Sequence, residues 1–95
     1  MFIVIFRAQV RQFDADYSAL AAQMRELALT QFGCLEFTAV TEGEQEIALS
    51  YWPDQASIRA WKQQADHLMA QKLGRERWYA AYSVEIAQIT RRYSK

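Results

Sequence analysis

From Phe2 to Val10 the chain alternates Phe2, Val4, Phe6, Ala8 and Val10 with Ile3, Ile5, Arg7 and Gln9. A period of two with apolar residues in both sets predicts a strand covered on both faces, the second face turning wet toward Arg7 and Gln9. The period then lengthens. Behind Asp14, a good N-cap, Tyr17, Leu20, Met24, Leu27 and Ala28 share one face and Gln23, Arg25 and Glu26 lie largely off it, which predicts a helix over roughly 15–32. Gly33 suits the left-handed position just past a helix end. Alternation returns at once, with Leu35, Phe37 and Ala39 against Glu36, Thr38 and Val40. After the turn signal Glu42-Gly43 it continues as Ile47, Leu49 and Tyr51 against Ala48, Ser50 and Trp52, an antiparallel hairpin.

The next stretch, Ser50–Tyr79, holds all three tryptophans, the only proline and the only histidine. Pro53 has no N–H to give a ladder and ends the strand, and Asp54 is placed to cap a helix beginning there. Ile58, Trp61, Ala65 and Leu68 mark a buried helical stripe. The run to Trp78 is long for one globular helix. Asp66 offers a second cap and Gly74 weakens or ends the run, so a break is expected near Ala65–Asp66. Tyr82–Tyr93, rich in aromatics with Val84, Ile86 and Ile89, reads as the last strand. This order is the α+β pattern of a ferredoxin-like βαββαβ sandwich with an antiparallel sheet. One sheet face meets the helices. The other is apolar with no element left to cover it, and the simplest cover is an identical sheet in a homodimer.

Composition sharpens this picture. Ninety-five residues allow one domain, 1–95, and 52% hydrophobic with 14% aromatic content is more than a solvated monomer of that size needs. Eleven basic and eleven acidic residues cancel, so no overall field steers the chain to nucleic acid or an anionic membrane. The lone Cys34 has no internal disulfide partner and reads as a small buried residue. No apolar run approaches a membrane span, and FIVIFRAQV lacks the marks of a signal peptide, so a cytoplasmic protein is expected. A phosphate-binding glycine loop and a Cys/His metal cluster are both missing, so neither a nucleotide cofactor nor a metal is expected.

Several side chains carry candidate chemistry, each with a plainer alternative. His67 alone has an unperturbed pKa near neutrality, which suits a catalytic proton shuttle, though a histidine early in a helical segment is often a surface residue. Trp61 offers an indole to stack on a flat substrate or simply packs in the core. The two share one cavity only if the helix breaks between them, since six residues place them about 240° apart on an unbroken helix. Tyr51 and Tyr82 are possible hydrogen-bond donors to substrate. Arg7, a guanidinium on an apolar strand, either binds an anionic substrate or pairs with Glu36, Glu46 or Glu85. Trp52 and Trp78-Tyr79 read as packing or dimer contacts.

Taken together, the hydrophobic first strand, the block GEQEIALSYWPDQASIRAWKQQADH and the run KLGRERWYAAYSVEIAQI resemble the antibiotic biosynthesis monooxygenase domain family across essentially the whole chain. The resemblance rests mainly on Tyr51-Trp52 at a strand end followed by Trp61. It implies a dimeric α/β barrel, with protomers packed sheet to sheet and a pocket between sheet and helices in each. Trp61 matches the family's pocket tryptophan, and His67 falls where many members place a polar residue or histidine. Members include oxygenases of polyketide-derived aromatics that use no metal or flavin, heme-opening proteins, and proteins without established activity. Heme-degrading relatives carry an iron-ligating histidine where this chain has Gln71, and a first-strand asparagine near which it has Phe6 and Arg7. The implied function is cofactor-independent oxygenation of a small aromatic or polyketide-like substrate. Non-catalytic binding of a hydrophobic metabolite and heme binding through an altered ligand set are the alternatives.

Overall fold

The alternating first segment forms the inner strand β1 (Phe2–Val10) of a computed structural model that describes all of Met1–Lys95. It is followed by α1 (Ala15–Gln31), β2 (Glu36–Glu42), β3 (Gln45–Trp52), α2 (Gln55–Gln71), the short α3 (Gly74–Trp78) and β4 (Tyr79–Gln88). β1 pairs antiparallel with β3 on one side and β4 on the other, and β2 joins β3, giving one four-stranded sheet in the order β2-β3-β1-β4. This is the ferredoxin-like arrangement. No helix is long and apolar enough to cross a membrane.

Local chemistry accounts for the boundaries. Asp14 and Asp54 each turn an Oδ1 onto the first turn of a helix, accepting from the amides of Tyr17 at 2.8 Å and Ser57 at 2.7 Å. Such caps satisfy backbone donors that have no partner within the helix. Gly33 takes φ +81 just past α1, and Gly43, at φ +60, opens a two-residue hairpin turn in the handedness that matches strand twist.

Two boundaries differ from the sequence reading. α2 runs through Ala65 and Asp66 without interruption, because the Asp66 carboxylate is held by Lys62 at 3.2 Å and by Arg75 and does not turn back to cap. The break comes later, at Lys72-Leu73, where Leu73 adopts the left-handed φ 53, ψ 37. That turn lets α3 deliver Trp78, fully buried, into the core. The last strand then begins at Tyr79, earlier than expected, opposite Val10, and its ladder ends at Gln88 because Gln88 already lies opposite Phe2, the first residue of β1.

Register puts Val4, Ser50, Ile86 and Phe37 side by side on the helix face of the sheet. The core on that face is divided into two clusters. Ala8, Val10, Tyr17, Leu20, Met69, Trp78 and Tyr79 form one, and Val4, Ala28, Cys34, Trp52 and Ile58 the other. The opposite face carries Ile3, Ile5, Ile47, Leu49 and Tyr51 in register, with Val40 beside Ile47 and no element of the chain over it. Val40 is 58% and Ile47 36% exposed.

Candidate functional site

Between the two core clusters lies a cavity of about 380 Å³. Phe6, Tyr17, Met69 and Tyr79 line it from one cluster, Val4, Phe37, Ile58 and Trp61 from the other. Its space comes from short side chains. Ala21 and Ala22 on α1, Ala39 on β2, Ala48 and Ser50 on β3 and Ala65 on α2 all face it, at positions where a leucine would close the gap. The mouth follows β4, whose lining residues Tyr82, Val84 and Ile86 remain 46%, 39% and 47% exposed. The volume falls within the range of small-molecule sites, and so does the chemistry, mostly apolar walls with a few polar groups.

Trp61 forms the floor of one end. Its Nε1–H donates to the Met24 carbonyl at 2.9 Å, which fixes the indole against α1. Its ring lies 5.4 Å from that of Trp52 and 6.1 Å from that of Phe37. Trp52 in turn donates to the buried Ser50 hydroxyl at 2.8 Å. The result is a rigid aromatic wall suited to the face of a planar ligand.

Polar groups gather at the other end. Glu46 points from β3 into the cavity, and its Oε2 is the one buried side-chain oxygen or nitrogen without a hydrogen-bond partner. Burial raises its pKa. Tyr79 is pushed well above the usual phenol range, first by burial and then by the Glu46 charge, and keeps its proton. Burial opposes the charge on Arg75, but the Asp66 carboxylate outweighs it and raises the arginine's pKa. The guanidinium lies 5.7 Å from the centre of the Tyr82 ring.

Of the residues picked from sequence, Trp61 and Tyr82 line the cavity. The others lie elsewhere. His67 is exposed on the far side of an unbroken α2, near Phe32 and Gln63, its ring nitrogen 3.2 Å from the Gln71 amide. The break that would have turned it inward is absent, so it does not share a cavity with Trp61. Tyr51 and Arg7 alternate onto the sheet face away from the helices. There Arg92 sits 5.0 Å over the Tyr51 ring, and Arg7 pairs with Glu85 at 2.6 Å, the plainer of the two readings of that arginine. Glu46, Tyr79 and Arg75 were missed as site residues. For Glu46 the signal was present, a carboxylate in phase with Ala48 and Ser50 on a strand whose helix side is otherwise small or apolar.

The family model described as antibiotic biosynthesis monooxygenase matches residues 1–73. An uncharacterized protein of Bacillus subtilis, YqjZ, is 33% identical over 91 residues, covering 95% of this chain and 80% of its own. A jasmonate monooxygenase of Pyricularia oryzae is also 33% identical, over 95% of this chain but only 44% of its own length. Among solved structures, SnoaB, a cofactor-independent oxygenase from Streptomyces nogalater, superposes with a TM-score of 0.77 at 14% identity, covering 99% of this chain and 97% of its own. A conserved protein from Methanosarcina mazei gives 0.73 at 21% identity, over 92% and 90%. These two likenesses are of fold.

Proposed function

The chain belongs to the antibiotic biosynthesis monooxygenase family, and on that premise we propose that it oxygenates a small, electron-rich, polyketide-like aromatic in this cavity, using dioxygen without a bound cofactor. The observation that carries the reading is the divided core. A domain this small has little apolar surface to spare, yet alanines and Ser50 keep about 380 Å³ open beside Trp61. The names of two relatives support the same class, SnoaB as a cofactor-independent oxygenase and the Pyricularia protein as a monooxygenase.

The chemistry asks little of the protein. A benzylic C–H beside a carbonyl gives up its proton, and the electron pair is held as an enolate. That anion passes an electron to dioxygen, and the radical pair combines to a peroxide, which takes up a proton. Loss of water leaves a new carbonyl, so CH2 and O2 become C=O and H2O. Apolar walls keep water from the anion and hold the ring in one orientation.

The active form in this proposal is a cytoplasmic homodimer. A second copy laid sheet to sheet would cover Ile3, Ile5, Ile47 and Leu49, and a standard specific interface buries roughly 1,200–2,000 Å². Oxygen-electrode measurements with 2-tetralone, a small bicyclic ketone with a benzylic methylene beside its carbonyl, test the reaction. Wild-type protein should consume oxygen, and Ala48→Leu, which fills the cavity, should abolish uptake while keeping or raising Tm. Binding without oxygen uptake would make the protein a carrier and not an oxygenase.

A further inference from the structure

We propose that Glu46 is the proton acceptor of this cavity, its carboxylate removing the benzylic proton of the bound aromatic ketone. The inference rests on the pocket reading above and supplies the base that His67, on the far face of α2, does not. Buried polar groups in native proteins nearly always find partners, so one without any calls for an explanation. Here a partner was at hand. Arg75 lines the same cavity, yet its guanidinium is bound to Asp66, and no ion pair reaches Glu46. The carboxylate, on a residue that lines the cavity, is thus left without a hydrogen-bond or ion-pair partner in the protein.

Its surroundings suit the task. Burial raises the pKa of Glu46, which makes the ionised form a stronger base. The charged and titratable groups on the elements packed around the cavity are Tyr17 and Arg25 on α1, Lys62 and Asp66 on α2, Arg75 on α3, and Tyr79 and Tyr82 on β4. Asp66 pairs with both Lys62 and Arg75. Tyr79 keeps its proton and so competes neither as a base nor as an anion. In the step itself the C–H bond breaks, an O–H bond forms on Glu46, and the electron pair moves onto the carbonyl oxygen as enolate.

Proton abstraction is separable from oxygenation. In argon-purged D2O, wild-type protein should speed deuterium incorporation at the benzylic methylene of 2-tetralone, followed by NMR, because the glutamic acid exchanges its proton with solvent before returning a deuteron. The rate should rise with pH through a single ionisation. Glu46→Gln should slow exchange roughly 100-fold or more and flatten that profile, and Glu46→Asp should restore part of it. In Glu46→Gln the 2-tetralone affinity by calorimetry should be kept and Tm kept or raised, which separates loss of a base from loss of fold or pocket. Exchange at the wild-type rate in Glu46→Gln overturns the inference, as does oxygen uptake without faster exchange. Failure of 2-tetralone and larger aromatic ketones to bind at all overturns the pocket reading and the inference with it.

Discussion

Gly74→Ala places one methyl group where there is no room for it. A Cβ at Gly74 would stand 2.7 Å from Met69 Sδ and 2.8 and 2.9 Å from two Trp78 ring carbons, against a best carbon separation of about 3.5–4.0 Å. Met69 has free torsions and can withdraw. Trp78 cannot. Its ring is fully buried, its Nε1–H donates to Asp14 at 3.1 Å, and Tyr17 meets it edge-on with centroids 5.3 Å apart. Forcing a methyl into such packing costs about 1–3 kcal/mol. Alanine recovers at most about 1 kcal/mol over glycine in a helix interior, and less at this first helical position. The net loss of about 1–2 kcal/mol should lower Tm by roughly 5–15 °C in a domain of this size, with a matching fall in the urea midpoint. A double-mutant cycle with Trp78→Leu should be non-additive, because the smaller side chain removes the obstacle. A Gly74→Ala protein as stable as wild type would refute the claim that this glycine exists for packing.

Three further outcomes are expected from the same geometry. Leu73 is 68% exposed in a left-handed conformation, so Leu73→Gly should relieve about 1–2 kcal/mol of steric cost, less the unfolded-state entropy of glycine, and raise the thermal midpoint slightly. Leu49→Asp puts a charge at the middle of the uncovered sheet face, and light scattering should then report the 11.1 kDa monomer, whereas an unchanged dimer would show that another surface associates. The raised pKa of Glu46 means that the folded state holds this proton more tightly than the unfolded chain. The cost of the ionised carboxylate is therefore absent below its ordinary value of 4.5 and grows as pH rises through the folded value. The Tm advantage of Glu46→Gln over wild type should widen across that window, and a pH-independent difference would mean that Glu46 ionises as freely when folded as when unfolded.

The fold was legible because its signals are local. Period-two and helical stripes, the Asp14 and Asp54 caps and the Gly33 and Gly43 turns each act within a few residues of themselves. What misled the reading was competition at longer range. Asp66 looks like a cap until Arg75, nine positions on, takes its carboxylate, and Tyr82 looks like a strand start until Trp78 is drawn into the core and hands Tyr79 to the ladder. Tyr51 drew attention as an aromatic, although its odd-numbered place beside Leu49 already set it on the face opposite Ser50 and Trp52.

The cavity was the hardest feature to read because its signature is small residues, and an alanine is ordinary at any single position. Only the three-dimensional register shows Ala39 beside Ala48 on the sheet, with Ala21, Ala22 and Ala65 above them. An unpartnered Glu46 in the same space adds a further cost, since a buried acceptor without a donor destabilises a protein by about 1–3 kcal/mol. Two departures from tight, satisfied packing at one place in so small a core are hard to ascribe to accident, because either could be removed by a single substitution. A chain that keeps both gives up stability at the cavity and needs it elsewhere. Burying the apolar sheet face opposite against a second copy would restore it, which ties the proposed dimer to the proposed site: Leu49→Asp should lower Tm even though residue 49 touches no part of the cavity.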